Sequence, residues 1–548
     1  AGAAVQLTAV AGAAEGGAAE VLFKCLPADT ADRLPCDVCL VVDTSGSMQT
    51  EAKVKSAGPA GEREAGAPLL SVLDIVRHAM KTVAHTLKSA DRLSIIAYSD
   101  EASSKLPLTK MTPEGQAAAD RAADALDAGG QTNLWDGLRL GLDTLRQDRR
   151  AGSTSAIMLL TDGVPNVAPP EGGYIESLRR YRGEHGGQLP CTVHTFGFGS
   201  DLDSALLDEL ACEGEGMYVF IPDASFVGTA LVNCTANTLV TMGTGAELVL
   251  EAAPGCVVEA ALGHPGAGAA AGGRLAVRLG ALQYGQSKDV VIRVTAPKGH
   301  AGPLVSAKLA YEGAGGAASA SASAAEASTS AADLAELAAQ SCRLRFVAKI
   351  REAMGAAEAS LPQAAKVMQD FASALTGERV AAIKQDADGQ VAEALSRVEW
   401  YNDWGAHYLR SLARAHLTQQ CNNFKDPGVQ CYGGALFETV RDNADETFLE
   451  LPPPNPASRG AAETLVAMGF SEDIARRAAA AAGGDVEAAK VMQDFASALT
   501  GERVAAIKQD ADGQVAEALS RVEWYNDWGA HYLRSLARAH LTQQCNNF

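Results

Sequence analysis

Three separated stretches of this chain place oxygen-bearing side chains where they could hold a metal ion. Asp43-Thr44-Ser45-Gly46-Ser47-Met48 offers one carboxylate and two hydroxyls on alternate residues. On a tight loop such residues can aim at a single point, and Gly46 is expected to let the backbone turn there. Gly129-Gly130-Gln131-Thr132-Asn133 adds a hydroxyl on a glycine-rich turn, and Leu159-Leu160-Thr161-Asp162-Gly163 puts a second carboxylate just past an apolar run. The candidate ligands are therefore Asp43, Ser45, Ser47, Thr132 and Asp162, all hard oxygens. Such a set suits Mg²⁺, which keeps some of its waters. Mn²⁺ would substitute, and Ca²⁺ fits less well because it takes more ligands. Three neutral hydroxyls leave much of the cation's charge uncompensated, so the metal would seek an outside anionic oxygen, the Asp or Glu of a protein partner.

The elements around these loops have to bring them to one place. Val38-Cys39-Leu40-Val41-Val42 is a short apolar run of the kind that makes a buried parallel strand. Further strands are expected at Leu93–Tyr98, Ile157–Leu160, Thr192–Phe196 and Tyr218–Ile221, with helices near 115–127, 135–147 and 203–212 between them. Leu69, Val72, Leu73, Val76, Met80, Val83 and Leu87 recur at helical spacing. Strands alternating with helices predict an α/β fold, a doubly wound and mostly parallel sheet covered on both faces. In such a sheet the three oxygen-bearing loops all lie at the carboxyl ends of strands, the crevice where ligands bind.

These residues resemble, motif for motif, the von Willebrand factor A (vWA) domain with its metal-ion-dependent adhesion site. The resemblance covers about 37–242. It implies that Ser45, Ser47 and Thr132 are direct ligands and that Asp43 and Asp162 act directly or through water. A lone Asp-x-Ser-x-Ser is common on surface loops, but three motifs in the right order are specific. One departure is the polar insertion at 49–67, which should overhang the metal face.

Alternating short strands follow at Glu247–Glu251, Cys256–Ala260, Leu275–Leu279 and Val290–Val294, a flanking antiparallel β-sandwich over 243–312. The N-terminal strands of 1–36, such as Val21-Leu22-Phe23, are expected to join it, with the α/β body inserted between. Residues 313–335, rich in Ala, Gly and Ser, read as a flexible linker. Residues 336–450 form a C-terminal helical region, helical to 424 and loop-rich beyond, and Pro452-Pro453-Pro454 opens a stiff linker over 451–460.

Tyr401-Asn402-Asp403-Trp404-Gly405-Ala406-His407-Tyr408-Leu409 through Gln430-Cys431-Tyr432-Gly433-Gly434 resembles the helical Vwaint region that follows vWA in a group of plant and protist proteins, some with Hint, U-box or RING domains. The RING members act as ubiquitin ligases, and this chain has no RING or U-box pattern. His407 and His416 read as core or helix-surface residues rather than metal ligands. Residues 461–490, with Leu465-Val466-Ala467-Met468-Gly469-Phe470, resemble a ubiquitin-associated (UBA) domain, which implies that Met468, Gly469 and Phe470 meet ubiquitin.

Residues 488–548 repeat 364–424 at all 61 positions. Packing cannot require identity at solvent-facing positions, so a recent duplication, a faulty gene model or another artefact explains it better than a functional array. The block enters within the third UBA helix, where Lys490-Val491-Met492-Gln493-Asp494 puts polar groups in place of core residues. A real junction would cripple that module; an artefactual one would leave the native domain competent.

The chain has 548 residues, 66 acidic and 46 basic, for a formal net charge of −20. That surface repels phosphate backbones and anionic lipid, so nucleic acid is not an expected partner. No apolar run reaches the ~18 residues that span a bilayer. The first residues, Ala1-Gly2-Ala3-Ala4, have neither an initiator Met nor a signal-peptide layout, so the true N-terminus is expected upstream. Eleven scattered cysteines look like core thiols, the Cys36/Cys39 pair included, in a reducing compartment. A cytoplasmic address is expected, and a large cytoskeletal assembly would fit it. With no P-loop, nucleophile elbow or HExxH, the chain is not expected to be an enzyme. The leading expectation is metal-dependent adhesion or scaffolding. The alternative is a ubiquitin-pathway adaptor or non-catalytic ligase component.

Overall fold

A computed structural model describes residues 5–13, 17–30, 33–52, 70–264, 273–298, 302–324 and 327–452, with 300 and 454. The UBA-like segment, with Met468, Gly469 and Phe470, and the repeat at 488–548 lie outside the described residues, as does 53–69 of the insertion. The chain divides into two compact units, 1–48 with 79–448 and 49–78 with 449–548.

Fourteen described strands follow in order: β1 (Val5–Ala11), β2 (Ala18–Pro27), β3 (Cys36–Asp43), β4 (Arg92–Tyr98), β5 (Ala102–Lys110), β6 (Thr154–Thr161), β7 (Thr192–Phe198), β8 (Glu215–Ile221), β9 (Thr241–Ala252), β10 (Val257–Ala261), β11 (Arg274–Gln283), β12 (Lys288–Thr295), β13 (Val305–Gly313) and β14 (Gly316–Ala324). The principal helices are α1 (Val72–Thr86), α2 (Pro113–Asp124), α3 (Leu134–Gln147), α4 (Gly173–Glu184), α5 (Ser204–Glu213), α6 (Val227–Leu239), α7 (Ala331–Ala357) and α8 (Leu361–Ala374), then Ala406–Thr418 and Ala435–Glu450.

The six-stranded sheet runs β5-β4-β3-β6-β7-β8, parallel except for β5 at the edge. Every residue of β3 and β6 is buried, which is why both read as unbroken apolar runs rather than alternating ones. Cys36 and Cys39 lie in β3 with their thiols pushed up to about 12 by burial, inert core groups. Helix α3 buries Leu134, Leu138, Leu142 and Leu145 on one stripe. Its approach needs Gly137, where a Cβ would stand 2.6 Å from the Tyr98 ring. Strand β5 and helix α4, which carry weak periodicity, are elements that the sequence pattern did not announce.

Two antiparallel four-stranded sheets, β1-β2-β12-β10 and β11-β9-β13-β14, make the flanking unit. Strand β2 pairs with β12 from Cys25↔Lys288 to Ala18↔Thr295, so the α/β body is inserted between partners in one sheet. Val21 and Phe23 of β2 share a core with Leu248 and Leu250 of β9 and Ile292 of β12. Leu22, on the other face, meets Val291 and α7 residues Leu337 and Leu344. The alternating faces thus bury a run that carries no polar residue between Val21 and Phe23.

Two expectations need correction. Residues 316–324, read as linker, are strand β14, paired with β13 from Gly313↔Gly316 to Val305↔Ala324. The low-complexity Ala-Ser alternation has a period of two, so Ala318, Ala320 and Ala322 face the core while Ser319, Ser321 and Ser323 face water. The stretch after 424, read as loop-rich, closes with helix Ala435–Glu450, which buries Leu436, Phe437 and Ala444. Within the second unit, Glu51 and Ser71 bridge the stem of the insertion, and Ser71 N and Oγ both donate to Asp74 Oδ2 at 2.8 Å at the start of α1.

Candidate metal centre

Strands β3 and β6 are parallel neighbours, so Asp43 and Asp162 leave the same end of the sheet. Asp43 closes β3 fully buried, and its two oxygens are already directed: Oδ1 accepts from Ser45 N at 2.8 Å, Oδ2 from Thr161 Oγ1 at 2.6 Å. The chain then turns through a short helix, Gly46–Gln49, pinned by buried Met48. That turn brings Ser45 Oγ to 3.1 Å from Ser47 Oγ, and Ser47 Oγ donates to Asp162 Oδ1 at 2.6 Å. Ser45, Ser47 and Asp162 therefore form a connected row of side-chain oxygens, and the Ser45 N–H ties Asp43 to its end.

Thr132 stands on the adjoining loop. Gly46 N donates to Gly130 O at 3.2 Å and Gly129 N to Thr44 O at 2.8 Å, lashing that loop to the serine loop. Thr132 is buried, and its N–H donates to Asn166 Oδ1 at 2.7 Å. The backbone freedom lies at Gly130 rather than at Gly46: Gly130 has φ +82°, and a Cβ there would stand 2.6 Å from Asp100 Oδ2, while Gly46 keeps an ordinary negative-φ turn.

The electrostatics favour a cation. Burial raises the Asp43 carboxyl above its ordinary range against the hydrogen bonds from Thr161 and Ser45. Asp162 is pushed up to about 6, first by burial and also by the Asp43 and Asp201 charges, with the Ser47 bond opposing. Two carboxylates thus share a poorly hydrated site and resist each other's charge. A hard divalent cation would relieve both, and the all-oxygen donors fit Mg²⁺. Among the described residues no three His, Cys, Asp or Glu side chains gather as a metal cluster; here two carboxylates are supplemented by hydroxyls.

Motif reading passed over two supports, Thr161 and Asn166. Thr161 lies inside the quoted Thr161-Asp162 motif, but its role shows only where β6 meets β3. His416 is a core residue, held by Asp386 Oδ2 at 3.1 Å and Tyr432 OH at 2.6 Å. Among the described residues no helix is long and apolar enough to cross a membrane.

Residues 38–164 match the family model described as von Willebrand factor type A domain. Residues 377–446 and 501–548 match the one described as VWA / Hh protein intein-like (Vwaint), and 461–490 that of the UBA/TS-N domain. The chain is similar to an uncharacterized protein, YfbK, of Escherichia coli, 26% identical over 230 residues, 42% of this chain and 36% of that protein. It is likewise similar to E3 ubiquitin-protein ligase WAV3 of Arabidopsis thaliana, 26% identical over 278 residues, 49% of this chain and 32% of the ligase. The chain thus spans about a third of the length of these relatives. It shares its fold with a von Willebrand factor type A protein from Catenulispora acidiphila, with a TM-score of 0.54 and 17% identity over 76% of this chain and 96% of that one. The chain is thus similar to von Willebrand factor type A domains over 38–164, to the Vwaint region over 377–446 and 501–548, and to UBA/TS-N domains over 461–490.

Proposed function

We propose that this chain binds a protein partner through Mg²⁺, with Mn²⁺ or Ca²⁺ as substitutes, held by Asp43, Ser45, Ser47, Thr132 and Asp162. The partner would supply an exposed Asp or Glu carboxylate to a cation whose charge the hydroxyls leave uncompensated. The observation that carries this reading is the row of oxygens through Ser45, Ser47 and Asp162, with Asp43 tied to its end by the Ser45 N–H, at the carboxyl ends of β3 and β6. What this chain's own residues do is hold and orient: Thr161 aims Asp43, Ser47 aims Asp162, and the Gly129–Thr132 loop closes the side. The bound cation would supply an electrophilic position for the partner's carboxylate. The test is a pull-down from native lysate in Mg²⁺, in EDTA, and with Asp43→Ala plus Asp162→Ala. A partner retained only by the intact protein in Mg²⁺ supports the reading; a partner set indifferent to metal and substitution removes it.

The UBA match carries a second reading, in which the chain is an adaptor that holds ubiquitin through Met468, Gly469 and Phe470. Ubiquitin binding by the full chain that is lost on Met468→Ala plus Phe470→Ala would support it. Unchanged or absent binding would end it.

A further inference from the structure

The helical region reaches the edge of the sheet that carries the candidate metal face. Helix Ala406–Thr418 lies along β8, the outer strand of the six-stranded sheet, and supplies the partners that a seventh strand would have given. Phe220 N donates to Ser411 Oγ at 3.3 Å, Ser411 Oγ donates to Tyr218 O at 3.2 Å, and Arg414 donates to Gly216 O and Ala211 O. One helical turn before Ser411, His407 Nε2 meets Ser200 O at 3.1 Å. Ser200 lies in the loop leaving β7, at the same edge of the sheet as Asp43 and Asp162.

A carbonyl only accepts, so Nε2 carries the hydrogen and Nδ1 is the bare nitrogen. Nδ1 is buried without a hydrogen-bond partner, and the ring rests beside Phe220 with centroids 5.3 Å apart. Packing alone would be served better by an apolar side chain, since an unpaired buried nitrogen costs stability. What distinguishes histidine here is its bond to the β7 loop. The next residue, Asp201, is near enough for its charge to act on both Asp162 and His407.

We propose that His407 is a positioning residue for the metal face: by holding the Ser200 carbonyl it fixes the loop after β7, and with it the Asp201 charge at the same edge of the sheet as Asp162, so that the helical region tunes the affinity of the cation site. A third carboxylate near the cation strengthens its attraction without being a ligand. This inference rests on the reading of Asp43 through Asp162 as a cation site.

The test uses the full chain with His407→Leu, His407→Gln and, as a control, Asp43→Ala, read by Mg²⁺ titration calorimetry and by amide hydrogen exchange. Leu keeps the volume and removes the unpaired nitrogen; Gln keeps a donor. The identical residue of the repeat, His531, is left unchanged. His407→Leu should speed exchange at 199–203 and weaken Mg²⁺ binding about two- to tenfold, the factor that one net hydrogen bond carries. Exchange in β3 and β6 should stay unchanged, and His407→Gln should restore both readouts. The inference is overturned if His407→Leu leaves the loop or the Mg²⁺ affinity unaltered, or if Gln does not restore them. Should that happen while Asp43→Ala still abolishes Mg²⁺ binding, the cation site stands and the positioning role alone falls. A wild-type chain that takes up no Mg²⁺ overturns the cation site itself, and the positioning role with it.

Discussion

Ser47 donates its hydroxyl to Asp162 at 2.6 Å, across 115 positions of sequence. The bond ties the loop after β3 to the end of β6 and orients a carboxylate that burial would otherwise leave poorly hydrated. On the far side of the same row, Thr161 does for Asp43 what Ser47 does for Asp162. A residue of each loop therefore aims the carboxylate of the other, so the two loops form a site only together.

Thr161→Val tests that arrangement without touching a proposed ligand. Valine keeps the shape and loses the 2.6 Å bond to Asp43 Oδ2. Mg²⁺ affinity should fall about 10- to 100-fold, the usual effect of removing an orienting partner behind a ligand. Titration calorimetry reads it, and unaltered affinity would remove Thr161 from the site.

Arg414 tests how the helical region is joined to the sheet. Its guanidinium is buried and bonds the carbonyls of Gly216 and Ala211. Arg414→Leu strips those donors from the edge of β8 and should cost about 3 kcal/mol in urea unfolding. Ser411→Ala, which loses weaker neutral bonds, should cost about 1 kcal/mol.

Lys288 is a buried cation whose Nζ donates to Thr418 O, and burial, aided by the Arg414 and Arg343 charges, pushes its pKa down to about 7. The unfolded chain binds this proton up to the ordinary lysine range, so stability should rise with pH from about 7 to about 10.5. At pH 7 the folded state still bears the cost of burial. Lys288→Met should therefore stabilise the protein by about 2 kcal/mol at pH 7, after the lost bond to Thr418 is counted. Urea midpoints at pH 7 and 9.5 should show that gain shrinking as pH rises.

His194 acts in the acid range. Burial, with the Arg414 charge, lowers its pKa to about 4, and its Nδ1 accepts from Met217 N at 3.1 Å. The folded state holds it neutral while the unfolded chain takes up a proton. Its contribution is whole above about pH 6.5 and is lost as pH falls toward 4, about 3 kcal/mol in all. His194→Gln, which keeps an acceptor and does not titrate, should flatten the stability profile between pH 6.5 and 4. An unchanged slope in chemical unfolding would show that other groups govern acid sensitivity.

Much of this was legible in the sequence because the signals are local. Buried parallel strands must be apolar on both faces, so the centres of β3 and β6 show as unbroken runs whatever surrounds them. The candidate oxygens stand in short motifs at strand ends, where chain order alone places them at one edge of a parallel sheet. Strand β14 was legible in principle, since Ala and Ser alternate from 318 to 324, but small residues carry so little hydrophobic contrast that composition hid the period. Strand β5, exposed at an edge, has a similarly weak pattern.

The tertiary structure decided what depends on residues far apart in the chain. That Thr161 aims Asp43, that Asn166 holds the Thr132 backbone, and that His407 reaches Ser200 are consequences of which faces bury against each other. Periodicity reports whether a segment has an apolar face; it does not say which face covers it. The sequence by itself determined the α/β body and the chemistry of its loops. The pairing of β2 with β12, the seating of the Vwaint helix on β8 and the polar ties between them were settled only by folding, because a hydrogen bond between distant residues leaves no trace in the spacing of either.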